Sequence, residues 1–580
     1  MSSNKKDKLS DQLKTESDLV ANQDVSEISS TLDAKPTKNV DDTLQIEVIQ
    51  SRPQEFIISP KRTHGQAAIQ MLANGENLVK DLKAYAGLDI EIVNVRKKIG
   101  IDTQAVDGET AALLVSIDPQ KGREFVNQST LPTSPIWVDE NFRITCSESI
   151  TSLFSAQTFV QVSDGGASGR LDICILGESG KPLSNSSVKL YTPLQLVPIV
   201  GITNEDGVAS FQLPEAMIAS IAGLVIEPES MHWSKIVRNP IFKAGKINNI
   251  RVQSYADFDK NLYASGALSW GVGKLGVFDE SRLVGRGVKI GIIDSGCDAT
   301  HQMLSHVTKG VDFNRGGSAE SWKIDEIGHG THVAGIIGAR YSDGSRLSFR
   351  GVAPEAELYI YKIFPQGDFF TMGAALEAAI ADKVDIINMS LGSKDFSNDI
   401  AECINKAKND GIACFVAAGN SGDAVQFPAN LTTSIAVSAI GHKAYLPIDS
   451  VSANTFVPNL SEAEGFFSPS FTCFGNSIDF AGPGVGIIST VPRGGIKVLD
   501  GTSMAAPHLT GLAALYLGES NNMSRTATRV DYIYDCLKRM VKPMAFASER
   551  IGVGMPCLAG GSSPLRRTSF SVSGGASCGW

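Results

Sequence analysis

Four polar side chains fall at boundaries between predicted strands and helices, and their types suit nucleophilic attack on a carbonyl group. They are Asp294 at the end of VKIGIID, His329 at the helix start in GHGTHVAG, Asn420 at the end of IACFVAAGN, and Ser503 in GTSMAAPH. A serine hydroxyl needs a base to remove its proton, and a neutral imidazole is the usual base near pH 7. The sequence therefore predicts His329 as the base, with Asp294 holding the ring in the required tautomer.

The residues around Ser503 indicate where its helix begins. Pro507 has no N–H and forfeits the helical bond to the carbonyl of residue 503, a loss that costs little only at a helix margin. Ser503 is therefore predicted at a helix N-terminus, where unpaired N–H groups and the helix dipole favour negative charge. Together with the side-chain amide of Asn420, this position could stabilise an oxyanion as it forms.

Each of these residues also has a structural interpretation. An Asp that ends a strand is often a turn former, and the segments AAGN and GTS are each common in turns and caps. Taken singly, each segment favours a structural role. Their co-occurrence in one chain, together with HGTHVAG, is what favours catalysis.

The elements that must position these residues alternate between strand and helix from 262 to 558. Short apolar runs such as ELYIYKIF (357–364) and VDIINMSLG (384–392) are typical of parallel strands covered on both faces. Helical segments such as MGAALEAAIADK (372–383) lie between them. The pattern predicts an α/β fold with a doubly wound, mostly parallel sheet, in which functional groups gather at the carboxyl ends of the strands.

These segments resemble the subtilisin-like serine proteases, the subtilase family. The resemblance runs in the family's order through GRGVKIGIIDSGCDATH, GHGTHVAGIIG, INMSLGS, VAAGNSG and GTSMAAPHLTGLAAL. It implies a serine endopeptidase that hydrolyses polypeptides through an acyl-enzyme, without a cofactor. It implies Asp294, His329 and Ser503 as the triad and Asn420 as the oxyanion donor. It also implies two segments as walls of the primary specificity pocket: Ser390, Leu391, Gly392 and Ala417, Ala418, Gly419.

Residues 52–146 read as strand, helix, strand, strand, helix and strand, which is a ferredoxin-like arrangement. The resemblance implies that this unit is the inhibitor-type propeptide of a zymogen, and so a partner of the protease in cis. Its last strand, IWVDENFRI, is expected to pair with the backbone near Ser390 and Leu391 as a pseudo-substrate, with the segment after Arg143 close to Ser503. The position of self-cleavage stays open, because another unit separates 52–146 from the protease.

That intervening unit, residues 165–255, alternates with a period of two between turn sequences and predicts a small all-β sandwich with a structural or docking role. In its NEDG segment, Gly207 is predicted to take a positive φ. Residues 1–51 are polar and predict a disordered leader. The Gly- and Ser-rich residues 559–580 predict a flexible tail.

Composition excludes several classes of protein. The net charge of −10, from 52 basic and 62 acidic residues, argues against a general nucleic-acid binder. No segment approaches the ~20 apolar residues of a membrane span, and the N-terminus lacks the apolar core of a secretory signal. The nine cysteines are odd in number, and several lie in apolar runs, which favours reduced thiols and a cytoplasmic protein.

Two positions depart from what the resemblance implies. Family members often bind calcium through an acidic residue shortly after the catalytic Asp, but Met303 stands there, so no metal is predicted. Cys297 occupies a normally aliphatic position three residues after Asp294. Its thiol is interpreted as packing, with inhibition through the thiol as the alternative.

Two alternatives to a general endopeptidase remain open. The chain could be a dedicated processing protease for one partner peptide, with residues 165–255 as its docking module. It could also be a non-catalytic binding scaffold, although the complete set of triad residues disfavours this. Activity on a generic unfolded protein would separate a broad enzyme from a dedicated one.

Overall fold

The computed structural model describes most of the chain after residue 53. The described ranges are 54–64, 78, 80, 90–97, 110–145, 168–258, 269–277, 283–558, 570–572 and 576–578, apart from 178, 193–196, 244, 315, 319, 343–346, 463 and 520–522. The predicted leader, 1–51, lies outside them, as does the predicted first helix of the unit 52–146, GENLVKDLKAYAG (75–87), except for residues 78 and 80. Of the predicted tail, 559–580, only two short paired strands are described, β24 (Phe570–Val572) and β25 (Ala576–Cys578).

The N-terminal part of the described chain is an antiparallel four-stranded sheet with the order β2-β3-β1-β4. Its elements are β1 (Gln54–Pro60), β2 (Glu91–Lys97), β3 (Thr110–Ile117), α1 (Pro119–Ser129) and β4 (Ile136–Glu140). Helix α1 begins where Asp118 accepts two backbone N–H bonds and Pro119 sets the first helical φ. Phe56 and Ile58 of the central strand face the sheet's own core, whereas Ile57 faces a core formed mainly by residues 293–436. Alternation along β1 thus buries both faces of this sheet.

Residues 168–251 form two further sheets. Their strands are β5 (Ser168–Leu176), β6 (Ser187–Tyr191), β7 (Ile199–Ile202), β8 (Val208–Pro214), β9 (Gly223–Glu227), β10 (Lys235–Arg238) and β11 (Ile247–Arg251), with the short helix α2 (Glu215–Ala219) after β8. The strand orders are β10-β9-β6-β7 and β11-β5-β8, and β11 runs parallel to β5. Leu171, Val188 and Leu224 belong to one core shared by both sheets. Gly207 has a φ of 73°, which confirms the turn prediction.

This two-sheet unit joins the following part of the chain through its strand β10 and the segment around Trp233. The Ile236 N–H donates to the Asp449 carbonyl at 2.9 Å, and the Val451 N–H donates to the Ser234 carbonyl at 3.0 Å. The indole of Trp233 is 3% exposed and packs edge-to-face on Tyr255 within the largest apolar core. The junction is therefore continuous with the core of residues 283–558.

The largest sheet has the order β13-β14-β12-β15-β16-β17-β18, and β19 also pairs with β17. The β17–β18 pair is antiparallel, and the other pairs are parallel, so the sheet is mixed and mostly parallel. Its strands are β12 (Lys289–Asp294), β13 (Lys309–Asp312), β14 (Glu357–Lys362), β15 (Ile386–Met389), β16 (Ala413–Ala417), β17 (Ile435–His442), β18 (Phe466–Phe467) and β19 (Phe480–Pro483).

Helices cover both faces of this sheet, which explains its nearly continuous apolar strands. The described helices between residues 255 and 551 are α3 (Tyr255–Phe258), α4 (Trp270–Lys274), α5 (His329–Gly338), α6 (Phe369–Ala381), α7 (Asn398–Asn409), α8 (Thr502–Glu519), α9 (Ala527–Arg539) and α10 (Ser548–Ile551). Helices α5 and α8 belong to one core, and α6 and α7 belong to the other. The sequence prediction of a doubly wound α/β sheet therefore holds.

The remaining elements are short. The hairpin of β20 (Ile487–Val491) and β21 (Gly495–Leu499) leads directly into helix α8, and β22 (Val541–Lys542) pairs with β23 (Met555–Pro556). Short 3-10 turns lie at Arg62–His64, Gln302–Leu304, Ser321–Lys323, Lys443–Tyr445, Ser452–Thr455 and Pro458–Leu460.

Candidate active site

Asp294 and His329 meet where the central strand β12 ends and helix α5 begins. Nδ1 of His329 lies 2.8 Å from Oδ1 of Asp294, and both side chains are fully buried. The same Asp294 oxygen accepts the Ser295 N–H at 2.7 Å. A carboxylate on Nδ1 fixes the ring orientation and favours the tautomer that carries its proton there.

The start of helix α5 is held against the end of β12 by a second carboxylate, Asp325. Its Oδ1 accepts from the Ser295 hydroxyl at 2.8 Å and the Gly328 N–H at 2.7 Å. Its Oδ2 accepts from the N–H and the hydroxyl of Thr331 at 2.8 and 2.6 Å. Burial raises the pKa of Asp325, and these hydrogen bonds oppose that rise.

Asp325 therefore links residues on both sides of His329 to the residue after Asp294. Asp325 is not among the site residues predicted from the sequence. An Asp shortly before a helix start is a capping signal, but that signal alone does not indicate proximity to β12. The helix also approaches the loop after β12 so closely that a Cβ on Gly330 would lie 2.2 Å from the Gly296 carbonyl oxygen.

Ser503 is the second residue of helix α8, which packs against α5. Pro507 lies inside this helix and cannot donate to the Ser503 carbonyl. That carbonyl instead accepts the Ser390 hydroxyl at 2.8 Å. In turn, the Ser503 hydroxyl lies 3.2 Å from the Ser390 carbonyl. The carbonyl left without a helical donor is thus satisfied by a residue that the sequence analysis assigned to the pocket wall.

Two further hydrogen bonds hold the Ser390 side chain in place. The Asn388 side-chain amide donates to the Ser390 hydroxyl at 3.0 Å, and the Thr510 hydroxyl donates to the Asn388 side-chain oxygen at 3.0 Å. This buried chain runs from helix α8 through the end of β15 and returns to Ser503. Asn388 was also missed, because an Asn within an apolar strand gives no local signal of its partner.

Asn420 lies three residues after the end of β16 and is fixed by the residue before Ser503. Its side-chain oxygen accepts from both the N–H and the hydroxyl of Thr502, each at 2.8 Å. The Thr502 hydroxyl also accepts the Gly419 N–H at 3.1 Å. With its oxygen held in this way, the Asn420 side chain keeps its NH₂ group as the end that can donate. The structure therefore brings Asn420 and Ser503 to one place.

The two predicted pocket walls follow neighbouring parallel strands. Ser390, Leu391 and Gly392 come directly after β15, while Ala417 ends β16 and Ala418 and Gly419 follow it. The Leu391 side chain packs into the core beneath α6 and α7. Leu391 therefore offers only its backbone to this wall.

Comparison with known proteins shows the family to which this chain belongs. The subtilase family model matches residues 285–543. Subtilisin DY of Bacillus licheniformis is 36% identical over 253 residues, which cover 42% of this chain and 82% of that protein. The chain belongs to the subtilase family. It is therefore a serine endopeptidase.

Two other relatives of this subtilase carry the word intracellular in their names. The intracellular serine protease of Paenibacillus polymyxa is 34% identical over 48% of this chain and 81% of the relative. The major intracellular serine protease of Bacillus subtilis is 32% identical over 47% of this chain and 81% of the relative. Within the described ranges, no helix is long and apolar enough to cross a bilayer.

In this subtilase the segment after β4 lies as an extended strand beside the Gly392 wall. Thr145 exchanges two backbone hydrogen bonds with Gly392, both at 3.2 Å, in antiparallel pairing. The Ile144 N–H donates to the Gly367 carbonyl at 3.0 Å, and its side chain is buried in the core that contains Leu391. The pairing thus involves Gly392, one residue beyond the predicted Ser390 and Leu391. Cys146 and the rest of the predicted segment ITCSESITS lie outside the described residues.

Cys297 and Met303, together with two further histidines near the triad, are packed inside the subtilase core. Cys297 is fully buried, and burial raises the pKa of its thiol well above its usual range, which favours the packing interpretation over reactivity. Met303 is buried in the same core. Burial lowers the pKa of His332 to about 3 and that of His508 to about 4, so both stay neutral. No group of potential metal ligands occurs among the residues that the structure describes.

Proposed function

We propose that this endopeptidase acts through Asp294, His329 and Ser503, with Asn420 as an oxyanion donor. The observation that carries the proposal is the buried 2.8 Å hydrogen bond between His329 and Asp294. With a proton on Nδ1, the Nε2 atom can take the proton of the Ser503 hydroxyl as that oxygen attacks the peptide carbonyl. The imidazolium that forms is stabilised by Asp294, and it then protonates the leaving amine.

The negative charge of the tetrahedral intermediate would be stabilised by two fixed donors. These are the Asn420 side-chain amide, oriented through Thr502, and the Ser503 backbone N–H in the first turn of α8. Water then takes the place of the amine and hydrolyses the acyl-enzyme through the same proton transfers in reverse order. Replacing Ser503 with Ala removes the nucleophile from a helix start that tolerates alanine, so hydrolysis should be lost with the fold intact.

We further propose that residues 52–146 inhibit the enzyme in cis until they are cut away. Support comes from the Thr145–Gly392 pairing, because an added strand is a common way to bind an extended peptide. An extended strand advances about 3.4 Å per residue. Gly392 is two residues from Ser390, whose carbonyl contacts Ser503. The bond that is cut should therefore follow the residue one or two positions after Thr145, at Cys146–Ser147 or Ser147–Glu148.

Buried polar contacts between the unit 52–146 and helices α6 and α7 would hold the inhibitory unit in place. Asp139 of β4 accepts the Ser397 hydroxyl at 3.0 Å and the Asp399 N–H at 2.8 Å, so it caps the first turn of α7. Arg96 of β2 makes a bidentate pair with Asp399 at 2.7 and 2.8 Å and lies 3.4 Å from Glu377. All of these groups are buried.

The test uses the full-length chain. Mass spectrometry of the incubated protein should find fragments that end between Cys146 and Ser147 or between Ser147 and Glu148, and the Ser503→Ala variant should give none. Arg96→Ala leaves Asp399 buried without its bidentate partner and removes one cation beside Glu377, which keeps Arg62 at 3.6 Å, so the lag before activity appears should shorten strongly. Arg123→Ala on the exposed side of the same unit, where the side chain is 64% exposed, is the matched control. An unchanged lag with Arg96→Ala, or full activity of uncut protein, would contradict inhibition in cis.

We also propose a cytoplasmic location. The seven described cysteines are free and buried, which suits a reducing compartment, and two relatives are named intracellular proteases. The dedicated processing protease remains the second candidate function. Its test is the incubation of activated enzyme with a generic unfolded protein, which a dedicated enzyme should leave intact.

A further inference from the structure

The side chain of Gln426 lies between the two predicted walls of the primary specificity pocket. A Cβ placed on Gly392 would lie 2.6 Å from Oε1 of Gln426. A Cβ placed on Gly419, in the opposite wall, would lie 2.7 Å from Cδ of Gln426. The glutamine therefore contacts both walls at once and fills the space between them.

The backbone beneath this side chain is fixed on both sides. The Gln426 N–H donates to the Ala418 carbonyl at 2.9 Å, and the next residue, Phe427, exchanges hydrogen bonds with Ser393 at 2.9 and 3.0 Å. Ala418 precedes Gly419 and Ser393 follows Gly392, so the segment that carries Gln426 is hydrogen-bonded next to both walls. The glutamine cannot leave the pocket by a shift of its backbone without breaking these bonds.

The polar end of Gln426 is buried against the glycines. Its Oε1 atom is inaccessible to solvent and has no hydrogen-bond partner within the described part of the chain. Burying an amide oxygen without a partner is unfavourable, so a ligand that supplied a hydrogen bond there would recover part of that cost. A small side chain with a hydroxyl fits such a site better than a large apolar one.

We infer that Gln426 restricts the residue on the amino side of the cleaved bond to small side chains, with serine preferred for its hydroxyl. This inference rests on the proposed role of Ser503. The enzyme's own sequence is compatible with it, because Thr145, Cys146 and Ser147, which include the residues next to the proposed cleavage positions, are all small. A large aromatic or basic side chain would have to displace the glutamine from between Gly392 and Gly419.

The test compares activated wild-type enzyme with Gln426→Ala on peptides that differ only at this position, with Gly, Ala, Ser, Lys or Phe. We expect wild type to cleave the Ser and Ala peptides and to hydrolyse the Phe peptide poorly. Gln426→Ala should raise kcat/KM for the Phe peptide about 10–100-fold, the range expected when a pocket admits a larger apolar group. Its effect on the Ser peptide should stay within about tenfold, the scale of one hydrogen bond.

Two further variants separate volume from polarity. Gln426→Leu keeps a similar length, so it should still exclude Phe while it loses the preference for Ser over Ala. Asn430→Ala is the matched control, because this exposed residue lies on the same segment and its N–H donates to the Gln426 carbonyl through the backbone alone. The control should keep the wild-type profile.

Labelling with a small fluorophosphonate that reacts with activated serines distinguishes a failure of the Gln426 inference from a failure of the triad proposal. If Ser503 is labelled but wild type cleaves Phe and Ser peptides equally, or Gln426→Ala leaves the profile unchanged, the inference about Gln426 is wrong and the triad proposal stands. If Ser503 is not labelled and no peptide is cleaved, the triad proposal is wrong, and the inference fails with it.

Discussion

Asp325→Asn should impair catalysis although Asp325 does not contact Ser503 through any described hydrogen bond. The carboxylate accepts a backbone N–H on each oxygen, from Gly328 on one and from Thr331 on the other. The hydroxyls of Ser295 and Thr331 can rotate and accept instead, but a backbone N–H cannot. Whichever way an asparagine amide turns, its NH₂ group must face one of these two N–H donors.

The expected cost is that of one buried donor without a partner, about 1–3 kcal/mol in the free energy of unfolding. Because Gly328 and Thr331 lie one and two residues from His329, part of this cost should appear as a displaced imidazole. A shift near 1 Å in a catalytic group can lower the rate about 10²-fold. We therefore expect kcat to fall about 10–100-fold while KM changes little, since the pocket walls follow other strands.

The assay measures kcat and KM for a peptide well below the thermal midpoint of each variant. Asp479→Asn is the matched control, because Asp479 also accepts a backbone N–H, that of Ala436, at 2.8 Å. This bond lies near the amino end of β17, whereas the triad lies at the carboxyl ends of the strands. An asparagine there can still turn its oxygen to this one backbone N–H, so the control should keep kcat. If Asp325→Asn lowers the thermal midpoint and leaves kcat at the wild-type value, Asp325 is a structural cap and does not position His329.

Three further predictions concern the oxyanion donor, the junction of the two-sheet unit and the buried histidines. Asn420→Ala should lower kcat about 10²–10³-fold with little change in KM; an effect confined to KM would assign Asn420 to substrate binding alone. Trp233→Ala should lower the free energy of unfolding by about 3–5 kcal/mol, measured in denaturant, because it leaves a cavity between the two-sheet unit and the protease core. Trp233→Phe should lose much less, since the buried indole N–H has no partner among the described residues; equal losses would argue against packing as the cause. Burial lowers the pKa of His508 to about 4 in the folded state, so as pH falls the unfolded state binds the proton first. The stability that the neutral buried ring contributes is therefore lost as pH falls from 6.5 towards 4. By pH 5 about 2 kcal/mol of this stability is lost. His508→Asn should remove that loss from the dependence of stability on pH, and an unchanged slope would contradict burial of the neutral ring.

Much of the candidate site can be predicted from the sequence because it depends on local rules. Apolar runs separated by helical segments predict a parallel sheet, and parallel strands place their carboxyl ends at one edge. Asp294, Ser390 and Asn420 follow three such strands, so their convergence follows from topology alone. Pro507 likewise indicates the unusual start of the Ser503 helix without any knowledge of its surroundings.

Only the tertiary structure decides which distant groups satisfy one another. The Ser503 carbonyl finds its donor in Ser390, 113 residues away, and the chain of Asn388 and Thr510 spans 122 residues. Asp325, Gln426 and Trp233 carry no local pattern that identifies their partners, because a hydrogen bond or an apolar contact across the fold leaves no periodicity in the sequence. Their roles are set by close packing, in which strands and helices far apart in sequence come within a few ångströms and most buried polar groups find their partners.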